Sequence, residues 1–253
     1  MIIALDVSTS TVGIACFSES GSLEEVTHIS PKKTKQIDKR EDMYEKVRSV
    51  VSFLISFTKN KEVSKIVIEE PLKNSANPNV ASKLNFFGGM LYQALKEAFI
   101  GSIDYIDINE SRQLGVPEIL GDNGKMYSKI PKVIEGVKIS EYRKLITLFY
   151  ISKRFPEVVW PMSANLLIDK KNFDRADAIT LGLAFLVKNK IIENQKIQEE
   201  ELVDFLTGYI RYQNFCKLQI EKNQAFMKGE RLEVKKQYLE QEFDIKKHIN
   251  VCF

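Results

Sequence analysis

The chain begins with an uninterrupted apolar run, Ile2-Ile3-Ala4-Leu5, that ends on an acid, Asp6, and the arrangement recurs at Ile66-Val67-Ile68-Glu69. Short apolar runs bounded by turn residues read as buried strands, so each carboxylate leaves the edge of a strand rather than a solvated loop. A third acidic place is FDRADAITLGLA, where Asp174 and Asp177 stand three residues apart at the start of a helical pattern carried by Ala178, Leu181, Leu183, Ala184 and Phe185. That spacing puts both carboxylates on one helix face. Ionised carboxylates crowded against apolar structure repel one another, and the usual remedy is a pair of hard divalent cations held by oxygen ligands.

The rest of the chain supplies a frame that brings these places together. Residues 2–7, 11–18 and 23–29 read as strands joined by Ser8-Thr9-Ser10 and by Glu19-Ser20-Gly21-Ser22, an antiparallel meander. The charged stretch Pro31 to Arg40 leads into an amphipathic helix from Glu41 to Thr58, with Met43, Val47, Val50, Val51, Leu54 and Phe57 on one stripe. A strand at 65–70, a helix from Val80 to Phe99 with a Gly88-Gly89 pair suited to close approach, and a strand from Ile103 to Ile108 follow. Gly115 to Gly136 reads as a long surface loop, and helices at 140–154 and 174–188 complete the pattern. The order β-β-β-α-β-α-β followed by helices predicts an α/β three-layer fold, a mixed five-stranded sheet flanked by helices with its first strand central. In it Asp6, Glu69 and the start of the helix at Asp174 meet.

From Asn189 the composition turns polar and charge-balanced, with Phe205, Tyr209, Tyr212, Phe215 and Leu218 at helical spacing. This divides the chain into a core domain, 1–189, and a helical C-terminal extension, 190–253, whose aromatics are expected to pack on the core or on a partner. Phe86 and Phe87 are likewise expected in the core.

The net charge of +3 is unevenly placed. Met1 to Ser111 holds 13 basic and 15 acidic residues, whereas Arg112 to Arg154 holds 9 and 4. A local positive surplus beside clustered carboxylates reads as a surface for a polyanion, phosphates above all. Arg112, Lys138, Arg143 and Lys144 flank predicted elements and are the candidate phosphate contacts, with Lys125, Lys129 and Lys132 in the loop. Cys16, Cys216 and Cys252 are odd in number and far apart, which supports neither a disulfide framework nor a zinc cluster. No apolar run approaches the ~18 residues of a membrane helix, and the start of the chain has no secretory pattern. The expectation is a cytoplasmic protein with no membrane partner.

Four carboxylates suffice for a site in which two cations ~3.5–4 Å apart activate water and stabilise the leaving oxygen of a phosphodiester. Asp6 is the bridging candidate, Glu69 and Asp177 complete the coordination, and Asp174 lies at the rim. All-oxygen donors favour Mg²⁺ or Mn²⁺.

The elements D-x-S-x-x-x-x-G (Asp6, Ser8, Gly13), V-I-E-E (Val67 to Glu70) and D-x-A-D-A (Asp174, Ala176, Asp177, Ala178) resemble the RuvC family of Holliday-junction resolvases within the RNase H-like nuclease superfamily. The match covers roughly 1–188, and Asn109 to Gln113 is similar to the stretch after that family's fifth strand. The resemblance implies an RNase H-like fold, a homodimer, two Mg²⁺ per active site held by Asp6, Glu69, Asp174 and Asp177, and paired incision of branched DNA. Three residues past Glu69, where bacterial resolvases carry an aromatic, stands Leu72, an apolar wedge for the junction centre in place of a stacking one. Asp6 with Ser8 and Gly13 also resembles the first phosphate loop of actin/hexokinase-type ATPases, but the second glycine-rich loop those enzymes need has no counterpart from Ser140 onward. A non-cleaving nucleic-acid-binding or ATP-binding module on a related fold is the alternative.

Overall fold

The computed structural model describes residues 1–31, 38–70, 78–117, 133–134, 137–138, 142–193, 200–222 and 228–253. Three strands, β1 (Ile2–Val7), β2 (Val12–Phe17) and β3 (Leu23–Ile29), form the expected antiparallel meander. The first turn is closed by Ser8, whose Oγ donates to the Thr11 carbonyl (2.7 Å) and accepts from the Thr11 amide (3.0 Å). Helix α1 (Lys39–Phe57), capped by Asp38, returns the chain to β4 (Lys65–Glu69), and α2 (Pro78–Ala98) leads to β5 (Ser102–Ile106).

The strand expected to run to Ile108 stops at Ile106. Asp107 takes extended geometry and its carboxylate accepts from the Asn109 amide (2.8 Å), which starts α3 (Ile108–Gly115). An Asp before a polar run is an N-cap signal. Next come a short hairpin of β6 (Val133–Ile134) and β7 (Val137–Lys138), then α4 (Arg143–Arg154), β8 (Trp160–Pro161) and α5 (Lys171–Lys188). The chain closes with α6 (Glu200–Lys222), α7 (Lys228–Gln241), a 3-10 turn at Ile245–Lys247 and β9 (Val251–Cys252).

The main sheet has the order β3-β2-β1-β4-β5, with β1 at its centre, antiparallel to β2 and parallel to β4. This is the mixed five-stranded α/β sheet, first strand central, that the order of elements predicts. Because side chains alternate across a strand, the register sorts the sheet into two faces. Ile3, Leu5, Val12, Ile14, Cys16, Ile66 and Ile68 pack against Val47, Val50 and Leu54 of α1 and Phe87, Leu91 and Leu95 of α2. Burial in this layer pushes the Cys16 thiol up to about 12, an inert side chain at neutral pH. The opposite face carries Ala4, Asp6, Gly13, Ala15, Phe17, Val67 and Glu69 and takes α5.

Two glycine contacts fix the course of α5. A Cβ on Gly13 would lie 2.0 Å from the Asp174 carbonyl oxygen, and one on Gly182 would lie 2.1 Å from the Phe17 ring. Gly13 to Phe17 spans about 13 Å of strand and Asp174 to Gly182 about 12 Å of helix, so α5 lies along β2 and runs in its direction. Arg175 reaches past β2 to donate to the Val26 carbonyl of β3 (3.2 Å). Gly115 brings the end of α3 against the same helix, where a Cβ would stand 2.2 Å from the Thr180 carbonyl oxygen.

By packing, Met1–Pro117 with Asp174–Asn194 make one compact unit and Glu118–Phe173 with Gln195–Phe253 a second. The boundary expected after residue 189 rests on composition, whereas this division rests on packing. The second unit has an aromatic core. Phe149 of α4 stacks on Phe205 of α6 (5.2 Å), Phe215 stacks on Tyr238 of α7 (4.5 Å), and Gly208 leaves room for the Phe243 ring. Phe205, Tyr209 and Tyr212 of the expected stripe are buried, while Leu218 is 48% exposed.

Two expectations for α2 are corrected. Phe87 is fully buried, but Phe86 is 47% exposed, because neighbours on a helix point about 100° apart. Gly88 is buried, whereas a Cβ on Gly89 would meet nothing within 4 Å, so Gly89 makes no close approach among the described residues. Among the described residues no helix is long and apolar enough to cross a membrane.

Candidate active site

Asp6 and Glu69 occupy equivalent places on neighbouring strands. The parallel register of β1 and β4 runs from Ile2 opposite Lys65 to Leu5 opposite Ile68, so Asp6 and Glu69 come one step later at the carboxyl ends of both strands. Alternation puts them on the same face of the sheet, the one that α5 covers. Both are half-buried. Ligand sites in open α/β sheets form at the carboxyl ends of parallel strands.

Gly13 is the partner of Asp6 in the antiparallel register of β1 and β2. Its missing side chain lets the backbone of Asp174, in the first described turn of α5 within this unit, come down beside Asp6. Asp177 follows one turn later on the same helix, and both helix acids are half-buried. Backbone register and a glycine contact thus bring Asp6, Glu69 and the start of the Asp174/Asp177 pair to one corner of the sheet. Ser8, in the same sequence pattern, holds the β1–β2 turn and so fixes where β1 ends.

Glu70 comes just past the end of β4, where its amide donates to the Ile106 carbonyl (2.8 Å). Beside Glu69 and Glu70 lies a small cavity of about 80 Å³, also lined by Val7, Leu84, Gly88 and Tyr105. The Tyr105 ring stacks on Tyr92 at 5.8 Å and is 40% exposed. Burial and the neighbouring Tyr92 and Glu70 raise the Tyr105 hydroxyl above its ordinary value. Sequence reading did not single this tyrosine out, since its strand carried no motif beyond alternation.

A donor set of carboxylate oxygens is the chemistry that Mg²⁺ and Mn²⁺ take. Among the described residues, no three His, Cys, Asp or Glu side chains already stand together as a metal cluster. What register and the Gly13 contact bring together here is the backbone of Asp6, Glu69 and Asp174, with Asp177 one turn further along α5.

The expected DNA contacts are distributed over both units. Arg112 is half-buried in α3 of the first unit. Lys138 lies on β7 of the second unit, and Arg143 and Lys144 open α4 there with exposed side chains. Leu72, Lys125, Lys129 and Lys132 lie outside the described residues.

The glycine contact can be tested directly. Gly13→Ala would drive a methyl group into the Asp174 carbonyl, and the expected loss of stability is about 3 kcal/mol, the upper part of the range for overpacking. Gly89→Ala, with open space around the new methyl, is expected to gain up to about 1 kcal/mol from helix propensity. Urea unfolding of both variants measures the contrast, and equal stabilities would refute the close approach.

No protein-family model matches the chain. No curated protein matches it in sequence. Among solved structures, the chain is similar to T. thermophilus RuvC in complex with a Holliday junction substrate, with a TM-score of 0.46 and 10% identity, covering 75% of this chain and 96% of that one. A second Thermus thermophilus RuvC structure gives a TM-score of 0.44 and 12% identity over the same shares, 75% and 96%. The yeast mitochondrial Holliday junction resolvase Ydc2 gives a TM-score of 0.44 and 13% identity, covering 86% of this chain and 83% of that one. All three are weak likenesses, and the chain's α/β architecture stands on its own strand order and register.

Proposed function

We propose that this chain is a metal-dependent endonuclease that hydrolyses phosphodiesters in branched DNA of the Holliday-junction type. The observation that carries the reading is the shared face of Asp6 and Glu69 at the ends of two parallel strands, with Asp174 drawn beside them through Gly13. Asp6, Glu69, Asp174 and Asp177 would hold two Mg²⁺ or Mn²⁺ ions. Such a pair, when bound, activates water and stabilises the leaving oxygen of the scissile bond. Asp6 projects from the most constrained strand of the sheet and so offers a carboxylate whose position is set before substrate arrives. Asp174 and Asp177 come from a helix that the glycine contacts hold in place.

The test of the acidic set is Asp6→Asn. Cleavage of a labelled four-way junction is expected to fall more than about 100-fold, since loss of a group one shell removed from a metal already costs about 10–100-fold. Junction binding is expected to persist or tighten, because one negative charge beside the phosphates is gone. Near-normal turnover in this variant, or activity unaffected by a chelator, would sink the assignment.

The basic segment Arg112 to Arg154 is the proposed DNA surface, with Leu72 as an apolar wedge. Removing the charges of Lys138, Arg143 and Lys144 together is expected to weaken binding and to flatten its dependence on salt by about 0.9 per lost phosphate contact in the log–log slope. An unchanged slope would place the DNA elsewhere.

Cutting both strands of a symmetric junction calls for two active sites related by a two-fold axis, so the protein is proposed to act as a homodimer in the cytoplasm. Light scattering of the full chain is expected to return twice the 29.1 kDa monomer mass. A monomer that persists with junction DNA bound would favour an enzyme that nicks one strand at a time.

A further inference from the structure

The second unit contains a cavity of about 440 Å³ between α6 and α7, within the size range of small-ligand pockets. Four of the side chains lining it are cationic, Lys217, Lys228, Arg231 and Lys235, and among the described residues no Asp or Glu lines it. Three of these come from one helix. Lys228, Arg231 and Lys235, with Leu232 between, follow the i, i+3, i+4, i+7 spacing that puts them on a single face of α7. Lys217 of α6 faces them across the cavity, and Asn165 and Leu167 close one side.

Lys217 and Lys228 are exposed, but Arg231 and Lys235 are not an ordinary solvated surface. Lys235 is only 7% exposed, and its ammonium has the Asn165 carbonyl as hydrogen-bond partner at 3.3 Å, which uses one of its three donors. The Nε of Arg231 is buried and has no hydrogen-bond partner among the described residues. Buried cations and unmet buried donors are costly unless an opposite charge completes them. The rim of the cavity is also firmly held. Leu166 adopts a left-handed backbone (φ 59°) between Asn165 and Leu167, and its carbonyl accepts from the Tyr212 hydroxyl (2.9 Å) while the Ile168 amide donates to Tyr209 (3.0 Å).

From this geometry we infer a phosphate-binding site in the α6–α7 cavity, with Arg231 and Lys235 at its base and Lys217 and Lys228 at its mouth. A phosphate group fits the site better than a carboxylate. It carries close to two negative charges as a monoester and offers three acceptor oxygens to several cations at once. The phosphate could belong to a free nucleotide or to a nucleic-acid strand, and the chemistry recognised is the same. The site is independent of the four acids and of any cleavage.

The test uses the full-length protein and binding alone. Inorganic phosphate and a deoxynucleoside 5′-monophosphate are titrated by calorimetry, and a labelled four-way junction by fluorescence anisotropy. The variants are Arg231→Gln and Lys235→Met, with Lys236→Gln, an exposed cation outside the cavity lining, as the charge control. Saturable binding of a small probe that weakens at least tenfold in Arg231→Gln but not in Lys236→Gln would establish a nucleotide or phosphate site. Failure of the small probes, with junction binding weakened at least tenfold by Arg231→Gln alone, would establish a strand phosphate as the occupant. If Lys235→Met does not fold, Arg231→Gln still carries the test. The inference is overturned if no probe binds in a way that Arg231→Gln alters, or if Lys236→Gln weakens binding equally, which would reduce the site to bulk charge. None of these outcomes depends on whether Asp6→Asn abolishes cleavage.

Discussion

The candidate site depends on one backbone contact, the passage of the Asp174 carbonyl over Gly13. Any side chain at that point of β2 would hold α5 off the sheet, since even a methyl group would fall 2.0 Å from the carbonyl oxygen. The helix can settle only where β2 is bare, and β2 is bare opposite Asp6. Gly182 over Phe17 repeats the device at the far end, so α5 is aligned with β2 at two points and cannot pivot about either. A third glycine, Gly115, docks α3 against Thr180 of the same helix.

The two faces of the sheet do different physical work. One is a continuous aliphatic layer beneath α1 and α2, and it anchors β1 so completely that Ile3 and Leu5 are wholly buried. The other face is polar at the carboxyl ends of β1 and β4, where Asp6 and Glu69 stand, and also at Lys65, whose ammonium lies over the Phe185 ring of α5. Asp6 and Glu69 are held by strands whose central residues, Ile2 to Leu5 and Ile66 to Ile68, are buried in the core, which keeps their backbone in place. The second unit is organised on a different plan, around stacked rings from α4, α6 and α7, and it gathers cations on α7 as the first unit gathers acids.

Much of this was legible along the chain. The apolar runs ending at Asp6 and Glu69 are strands, the 3.6-residue stripe from Met43 to Phe57 is α1, and the order of elements is enough to put β1 at the centre of the sheet. Such features are local, because a strand or amphipathic helix declares itself by a period set by its own geometry. The errors were local as well. The helix after Asp107 was missed because its apolar content is thin and its signal is a cap rather than a period, and Phe86 was assigned to the core because periodicity over two residues cannot tell inside from outside.

The sequence by itself determined the fold class, the strands that end in acids and the pairing of Asp174 with Asp177 on one helix face, since these follow from residue type and spacing alone. Tertiary structure alone decided which sheet face α5 covers, that Gly13 is a seat for Asp174 rather than a turn residue, and that Lys217 of α6 faces Arg231 and Lys235 of α7 across one cavity. The reason is distance along the chain. Gly13 and Asp174 are 161 residues apart, and no periodicity spans such a gap. Contacts of that kind are set by which shapes pack without voids or overlap once the elements exist.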